Sequence, residues 1–372
     1  MCLSFSDKIT PIFGKYQKCV LENLHLMISS LLTSKTVNLY KQKDHVQSLL
    51  GSQETQVMSH YQRLLRFMRT HRYTNIWLDC LQGALSVPKI TSDSYYLDAT
   101  EWQFGEVKIH ILMLCVNWNG AAVPVYFRPY WHKGVLSQEA RIRFIRRAMK
   151  VVNLKGKIII ADREFIGSKW FLFLSSSDIK FVMRVREGMY KKELLDGKTY
   201  QKLKARALKK GYTKAFIKID KFIYRLEFWR NNSPENTDEE VIYLLTNVLN
   251  KARIGKKYRN RWRIEYCFKH LKTNGFDLED MSWRDLGKIR LCISIVIVAY
   301  ILAVREGQLA AIKAERGGLK IGKKYKDGTI YPAVSLFRSG LAVLIFFASN
   351  LARFVKYLNK IKLKKEPFYQ IV

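Results

Sequence analysis

Acidic residues are scarce in this chain: 31 Asp and Glu stand against 65 Lys and Arg in 372 residues, a formal net charge of +34. That excess goes well beyond what keeps a domain of this size in solution. It favours a polyanionic partner, because a positive surface gains from releasing the counterions condensed on a phosphate backbone. Charge alone does not separate DNA from RNA, ribosomes or anionic lipid. Cysteines are few and scattered: Cys2, Cys19, Cys80, Cys115, Cys267 and Cys292 form no CxxC pair, and the seven histidines are equally dispersed. Neither a zinc site nor a disulfide framework is suggested. No GxxxxGK[ST] occurs, so no nucleotide cofactor is expected. No apolar run reaches the roughly 18 to 20 residues that cross a membrane. The longest, LCISIVIVAYILAV at 291–304, and LAVLIFFASNLARF further on both read as core helices. The opening MCLSFSDK has no basic stretch followed by an apolar one, so a cytoplasmic protein is expected.

What the chain does have is a set of acids at the ends of strand-like runs. YYLDATEW places Asp98 at the close of a first strand, and KIIIADREF places Asp162 after Lys157–Ala161, a short continuous apolar run of the kind buried on both faces. Between them, KIHILMLCVNW and AAVPVYF are joined by Asn119-Gly120, a dipeptide that tolerates positive φ and so favours a tight hairpin. SQEARIRFIRRAMKVVN follows with helical periodicity and Ser137 as its N-cap. The order β, β, β, α, β and later α is that of the ribonuclease-H fold, an α/β core in which the first strand and the strand after the helix run parallel. Asp98 and Asp162 then converge at one edge.

The third acid comes from YRNRWRIEYCFKHLK. Residues 256–274 carry good helix formers with no Gly or Pro, and on a helix of 100° per residue Tyr258, Arg261, Glu265 and Lys272 fall within about 60° of one another. Ile264, Cys267, Phe268 and Leu271 form a separate apolar stripe. Three carboxylates gathered in a small space repel unless a cation is present. Hard oxygen donors suit Mg²⁺ or Mn²⁺, and two such ions about 4 Å apart suit phosphodiester chemistry.

The combination of LDAT, ADREF and Tyr-x2-Arg-x3-Glu-x6-Lys resembles the DDE transposases of bacterial insertion sequences, specifically the insertion-sequence-four group with its YREK signature, over roughly residues 90–300. The resemblance implies that Asp98, Asp162 and Glu265 are the catalytic, metal-binding triad, holding two Mg²⁺ or Mn²⁺ ions. It implies that Tyr258, Arg261 and Lys272 contact DNA phosphates near the element end, with Trp262 beside them to stack on a base or sugar. Hairpin-forming relatives carry a tryptophan in the strand before the signature helix; here EEVIYLLTN offers Tyr243 in its place. The implied partners are double-stranded DNA, as terminal inverted repeats and as target, bound by a homodimer on paired ends, with no membrane and no nucleotide. The implied activity is cleavage at the element ends and joining of the 3′-hydroxyls to target DNA. A ribonuclease-H-fold nuclease without strand transfer, or a copy that binds DNA without cutting, are the alternatives.

The chain divides into a helical N-terminal region (1–88), a first part of the core (89–185), a β-rich insertion (186–247), a second part with the signature helix (248–305) and a basic helical C-terminal region (306–372). The N-terminal region reads as DNA-binding, with a plain packing layer as its alternative. DIKFVMRVREG, TKAFIKIDKFIYRLEFWR and EEVIYLLTN carry strand-like patterns around the turn-rich NNSPENTDEE. Asp79 in WLDC also follows an apolar run but sits on an expected helix, and Glu101 and Glu164 flank the triad as second-rank acids.

Overall fold

A computed structural model describes residues 12–361 apart from 52–54, 89, 105–106, 195–196, 233–238, 251–253, 318–321, 325–329 and 333. The N-terminal motif MCLSFSDK with Cys2, and most of NNSPENTDEE, lie outside the described residues.

Ahead of the sheet the described residues include the helices α1 (Lys18–Ser34), α2 (Leu39–Leu50), α3 (Val57–His71) and α4 (Ile76–Leu85). Strands β1 (Ser94–Phe104), β2 (Val107–Trp118) and β3 (Ala121–Trp131) then form an antiparallel meander. Asn119 and Gly120 take φ of 46° and 94° at the second turn, the double positive φ that matches the turn to the twist of its strands. Helix α5 (Gln138–Ala148) begins where the Ser137 hydroxyl accepts the Ala140 amide at 3.2 Å, with Glu139 in the first turn and Arg146 and Arg147 in the last, each suited to the helix dipole.

β4 (Ile158–Ala161) is buried at every position and pairs in parallel with β1 in the register Leu97 opposite Ala161. That register decides the site: the next residues along the two strands are Asp98 and Asp162. α6 (Ser168–Ser176) leads to β5 (Lys180–Val185), parallel to β4. The order β3-β2-β1-β4-β5, with the first three antiparallel and the last two parallel to β1, is the ribonuclease-H core.

The segment read as a β-rich insertion does supply strands, β6 (Tyr212–Ile219), β7 (Phe222–Arg230) and β8 (Val241–Thr246), but they are not a separate sheet. They continue the core as β5-β8-β7-β6, giving eight strands in one sheet. The segment also contains a helix, α7 (Gly197–Lys210), laid across these three strands. β5 and β8 are locked by side chains: Thr246 Oγ1 donates to Phe181 O at 2.5 Å and Asn247 Oδ1 accepts from Phe181 N at 2.9 Å.

A 3₁₀ stretch, Ile254–Arg261, then precedes α8 (Trp262–Leu271), and α9 (Leu286–Arg316) follows. α9 is long and apolar enough to span a bilayer, yet most of its apolar part is inside the protein. It packs against α1, α3, α4, α8, β3 and α10 (Leu336–Ala348). α10 and α9 touch backbone to backbone at Gly340 and Gly307, where any added Cβ would run into Ala303 O or Leu336 O. α11 (Leu351–Lys360) packs against α10 and α1. The N-terminal helices therefore form a layer over α9 rather than a detached body, and the expected C-terminal tail is packed onto the same helix.

Candidate active site

Five of the eight residues singled out in the sequence meet at one point. Asp98 lies in β1, Asp162 immediately after β4, and Glu265 in the first turn of α8. Between them sits the Arg261 guanidinium, which pairs with Asp98 Oδ2 at 3.1 Å, Glu265 Oε1 at 2.8 Å and Asp162 Oδ2 at 3.5 Å. The Tyr258 hydroxyl donates to Asp162 Oδ1 at 3.2 Å. The acids are further fixed by the backbone: Asp98 Oδ1 accepts the Ala99 amide at 2.9 Å and Asp162 Oδ1 the Arg163 amide at 2.7 Å.

The convergence differs in detail from one continuous helix over 256–274. Tyr258 and Arg261 are on the 3₁₀ stretch, and the α-helix starts only at Trp262. The tighter winding and the helix start still leave Arg261 and Glu265 ion-paired at i, i+4. Lys272 caps the helix end and turns away from the carboxylates. Its Nζ donates to Glu101 O at 2.9 Å, three residues along β1 from Asp98, and pairs with Glu279 at 2.8 Å.

Tyr243 requires a correction. It lies in β8 with 1% of its surface exposed, stacked on Tyr200 of α7 at 5.8 Å and edge-on to Phe228 at 5.4 Å. A side chain buried this way offers no face to a DNA base; the alternation of EEVIYLLTN could not say which face α7 covers. Trp262, in contrast, is 59% exposed beside the site, and Tyr266, one turn on, is exposed as well.

Burial pushes the Asp98 carboxyl up to about 7, against the Arg261 charge and the Ala99 hydrogen bond that hold it down. Burial also raises Glu164, opposed by Arg141 and reinforced by Asp162. Burial works against the Arg261 charge, but Tyr258, Asp162, Asp98 and Glu265 together hold its proton more firmly than usual. The Tyr258 hydroxyl is raised by burial and by Asp162. The site is therefore a partly exposed cluster in which the buried guanidinium of Arg261 is contacted by three acids.

Glu101, a flanking acid in the sequence, and groups the motifs did not single out border it. Glu239, just ahead of β8, accepts from Arg184 at 2.6 Å and Arg163 at 3.1 Å, so two more arginines stand beside Asp162. Glu101 bonds His110 Nδ1 at 2.6 Å. No local pattern marks these pairs, which join residues up to 76 positions apart. Asp79 is elsewhere: on α4 it receives the Tyr16 hydroxyl and Lys15 at 2.9 Å, a strap on the N-terminal layer.

The donor set of Asp98, Asp162 and Glu265 is all oxygen and anionic, which suits a hard divalent cation. Among the described residues no three His, Cys, Asp or Glu groups are close enough to hold one ion as they stand. The three acids fit such a cation in the chemistry of their donors, and all three contact the Arg261 guanidinium.

Residues 137–302 match the family model of the transposase DDE domain. The match takes in Asp162, Tyr258, Arg261, Glu265 and Lys272 and begins after Asp98. The chain is also similar to a solved structure, the cryo-EM structure of a piggyBac transposase synaptic complex with hairpin DNA, at 13% identity and a TM-score of 0.43 over 98% of this chain and 85% of that one. No curated protein matches the chain.

Proposed function

We propose that this chain is a DNA transposase of the insertion-sequence-four group that binds the terminal inverted repeats of its own element, cleaves the ends and joins the 3′-hydroxyls to target DNA. The observation that carries the reading is the meeting of Asp98, Asp162 and Glu265, from three distant parts of the chain, on the single cation of Arg261 at the edge of a ribonuclease-H sheet. The match of 137–302 to the transposase DDE domain supports it independently.

In this reading the three carboxylates hold two Mg²⁺ or Mn²⁺ ions, which when bound supply Lewis-acid stabilisation for the attacking and leaving oxygens of the phosphodiester. The protein's own contribution is positioning. Asp98 and Asp162 are set by the β1–β4 register, and Glu265 by its helix. Arg261, with its planar fork, exchanges carboxylates for a phosphate of the DNA near the cleaved bond, and Tyr258 keeps Asp162 oriented. Lys272 serves as a point charge at the far end of the same helix. The exposed Trp262 supplies a ring for a base or sugar at the cut end. The surrounding positive surface steers the duplex, and a homodimer would pair the two ends.

The test uses purified protein and DNA ending in the element's own inverted repeats, with Mg²⁺. Asp98→Asn, Asp162→Asn and Glu265→Gln should each abolish nicking while leaving end binding largely intact. Nicking by all three at the parental rate would sink the assignment, and nicking without any joined product would leave a nuclease in its place.

A further inference from the structure

We propose that Glu227 is a positioning residue for this site, acting through the Gly255 amide to set where the chain that carries Tyr258, Arg261 and Glu265 begins; the inference rests on the active-site reading above. Glu227 lies in the middle of β7, opposite Lys214 of β6 and Leu244 of β8. It is fully buried, and so is Arg225 two residues before it on the same strand face, paired with it at 2.7 Å.

A buried ion pair is a poor source of stability, because desolvating two charges offsets their attraction, and apolar residues of the same volume do as well or better. What such a pair can supply is direction. Two contacts of this one reach the chain that leads to α8. Glu227 Oε2 accepts the Gly255 amide at 3.1 Å and the Trp229 indole N–H at 2.8 Å, and Oε1 faces the Tyr212 hydroxyl at 3.3 Å. Arg225 Nη1 donates to Leu249 O at 3.1 Å. The pair thus grips the main chain on both sides of 251–253, after β8 and at the second residue of the 3₁₀ stretch. Three residues beyond Gly255 is Tyr258, and six beyond is Arg261.

Gly255 is explained by the same contact. Its φ is not positive, so conformational freedom is not the reason for a glycine there. A Cβ at this position would stand 2.5 Å from Trp229 Nε1 and 2.7 Å from Glu227 Oε2; only glycine lets the backbone come this close to the carboxylate. The three strands beyond the core sheet therefore act on the site from a distance: they hold a carboxylate whose hydrogen bond fixes the origin of the catalytic segment.

The experiment compares full-length parent, Gly255→Ala, Trp229→Leu and the Gly255→Ala/Trp229→Leu double variant. Each is followed by melting, end-DNA binding, calorimetric Mn²⁺ titration, cleavage rate and amide hydrogen exchange over 254–261. Gly255→Ala should bind ends as the parent does, lose roughly tenfold in Mn²⁺ affinity and roughly 100-fold in cleavage rate, and exchange faster at 254–261 alone. Trp229→Leu removes the indole atoms the new Cβ would strike and leaves the clash with Glu227 Oε2, so the double variant should recover part of both losses. A folded Gly255→Ala with parental Mn²⁺ affinity, rate and exchange would overturn the inference, as would a double variant no better than the single. If Gly255→Ala does not fold, Glu227→Asp, which shortens the acceptor by one methylene, gives the same comparison. A parent that neither binds Mn²⁺ nor cuts would refute the proposed function instead, and the exchange data would still report whether the anchor exists.

Discussion

Arg261→Met separates the electrostatic from the steric role of the residue at the centre of the site. The side chain keeps roughly its length and loses its charge, leaving Asp98, Asp162 and Glu265 facing one another. Removing one partner of a buried pair costs about 3–5 kcal/mol; with the Glu265 and Asp162 side chains 30% and 27% exposed, water screens part of this, and about 3 kcal/mol is the expected loss. At about 2.1 cal/mol/K per residue, a 372-residue chain should melt about 4 °C lower. Asp98→Asn removes one of the abandoned charges, so the double variant should be more stable than the sum of the singles by about 1–3 kcal/mol. Mn²⁺ offers the acids another cation and at 100 times its Kd stabilises by about 2.7 kcal/mol. It should therefore raise the melting temperature of Arg261→Met more than that of the parent, which must first give up its ion pairs. Scanning calorimetry with and without Mn²⁺ reads all of this. A variant melting within a degree of the parent, with additive effects in the double and no difference in its response to Mn²⁺, would refute the account of Arg261 as the cation that balances the site.

End binding should weaken steeply with salt, log affinity falling against log salt at about −0.9 per phosphate neutralised, and a flat titration would show that the positive surface serves another partner. His25 is buried in α1, and burial lowers its pKa to about 4. A folded value below the unfolded 6.5 means that stability is complete above about pH 6.5 and falls by about 3 kcal/mol as the pH drops to 4. His25→Gln should flatten that fall in urea titrations, and an unchanged acid slope would contradict it. Gly340→Ala should cost about 1–3 kcal/mol by pushing α10 away from Ala303 O, and an unaltered urea midpoint would show that the helices can part without loss.

Local chemistry was readable in the sequence where a few neighbouring residues decide the outcome. Asn119-Gly120 made its hairpin, Ser137 its cap and Ile158–Ala161 its buried strand. Asp98 and Asp162 met because strand ends and a parallel pairing follow from that order of elements. What stayed hidden depends on distance or on which face is covered. Tyr200, Leu203, Ala207 and Leu208 do give the helix α7 an apolar stripe, but nothing local says which strands it covers, so the burial of Tyr243 against Tyr200 stays hidden. The late start of α8 at Trp262 does not show on a wheel drawn over 256–274, and neither does the hydrogen bond of Gly255 to Glu227, a contact across 28 positions. Arg261 looked like a group for phosphates on a wheel drawn from one helix; its pairing with Asp98 spans 163 residues.

Helix α9 has a consequence for shortened copies of the gene. Its 31 residues run about 46 Å, and its apolar length is sheltered by α1, α3 and α4 from one end of the chain and by α10 from the other. Deleting either end would uncover a stretch that a cell's insertion and quality-control machinery reads as a membrane span. Such a fragment would be drawn into aggregates or degraded before it could occupy DNA. If the proposed function holds, truncated copies would thus be poor sources of competing binders, and inhibitors would have to arise from full-length copies altered at the acids.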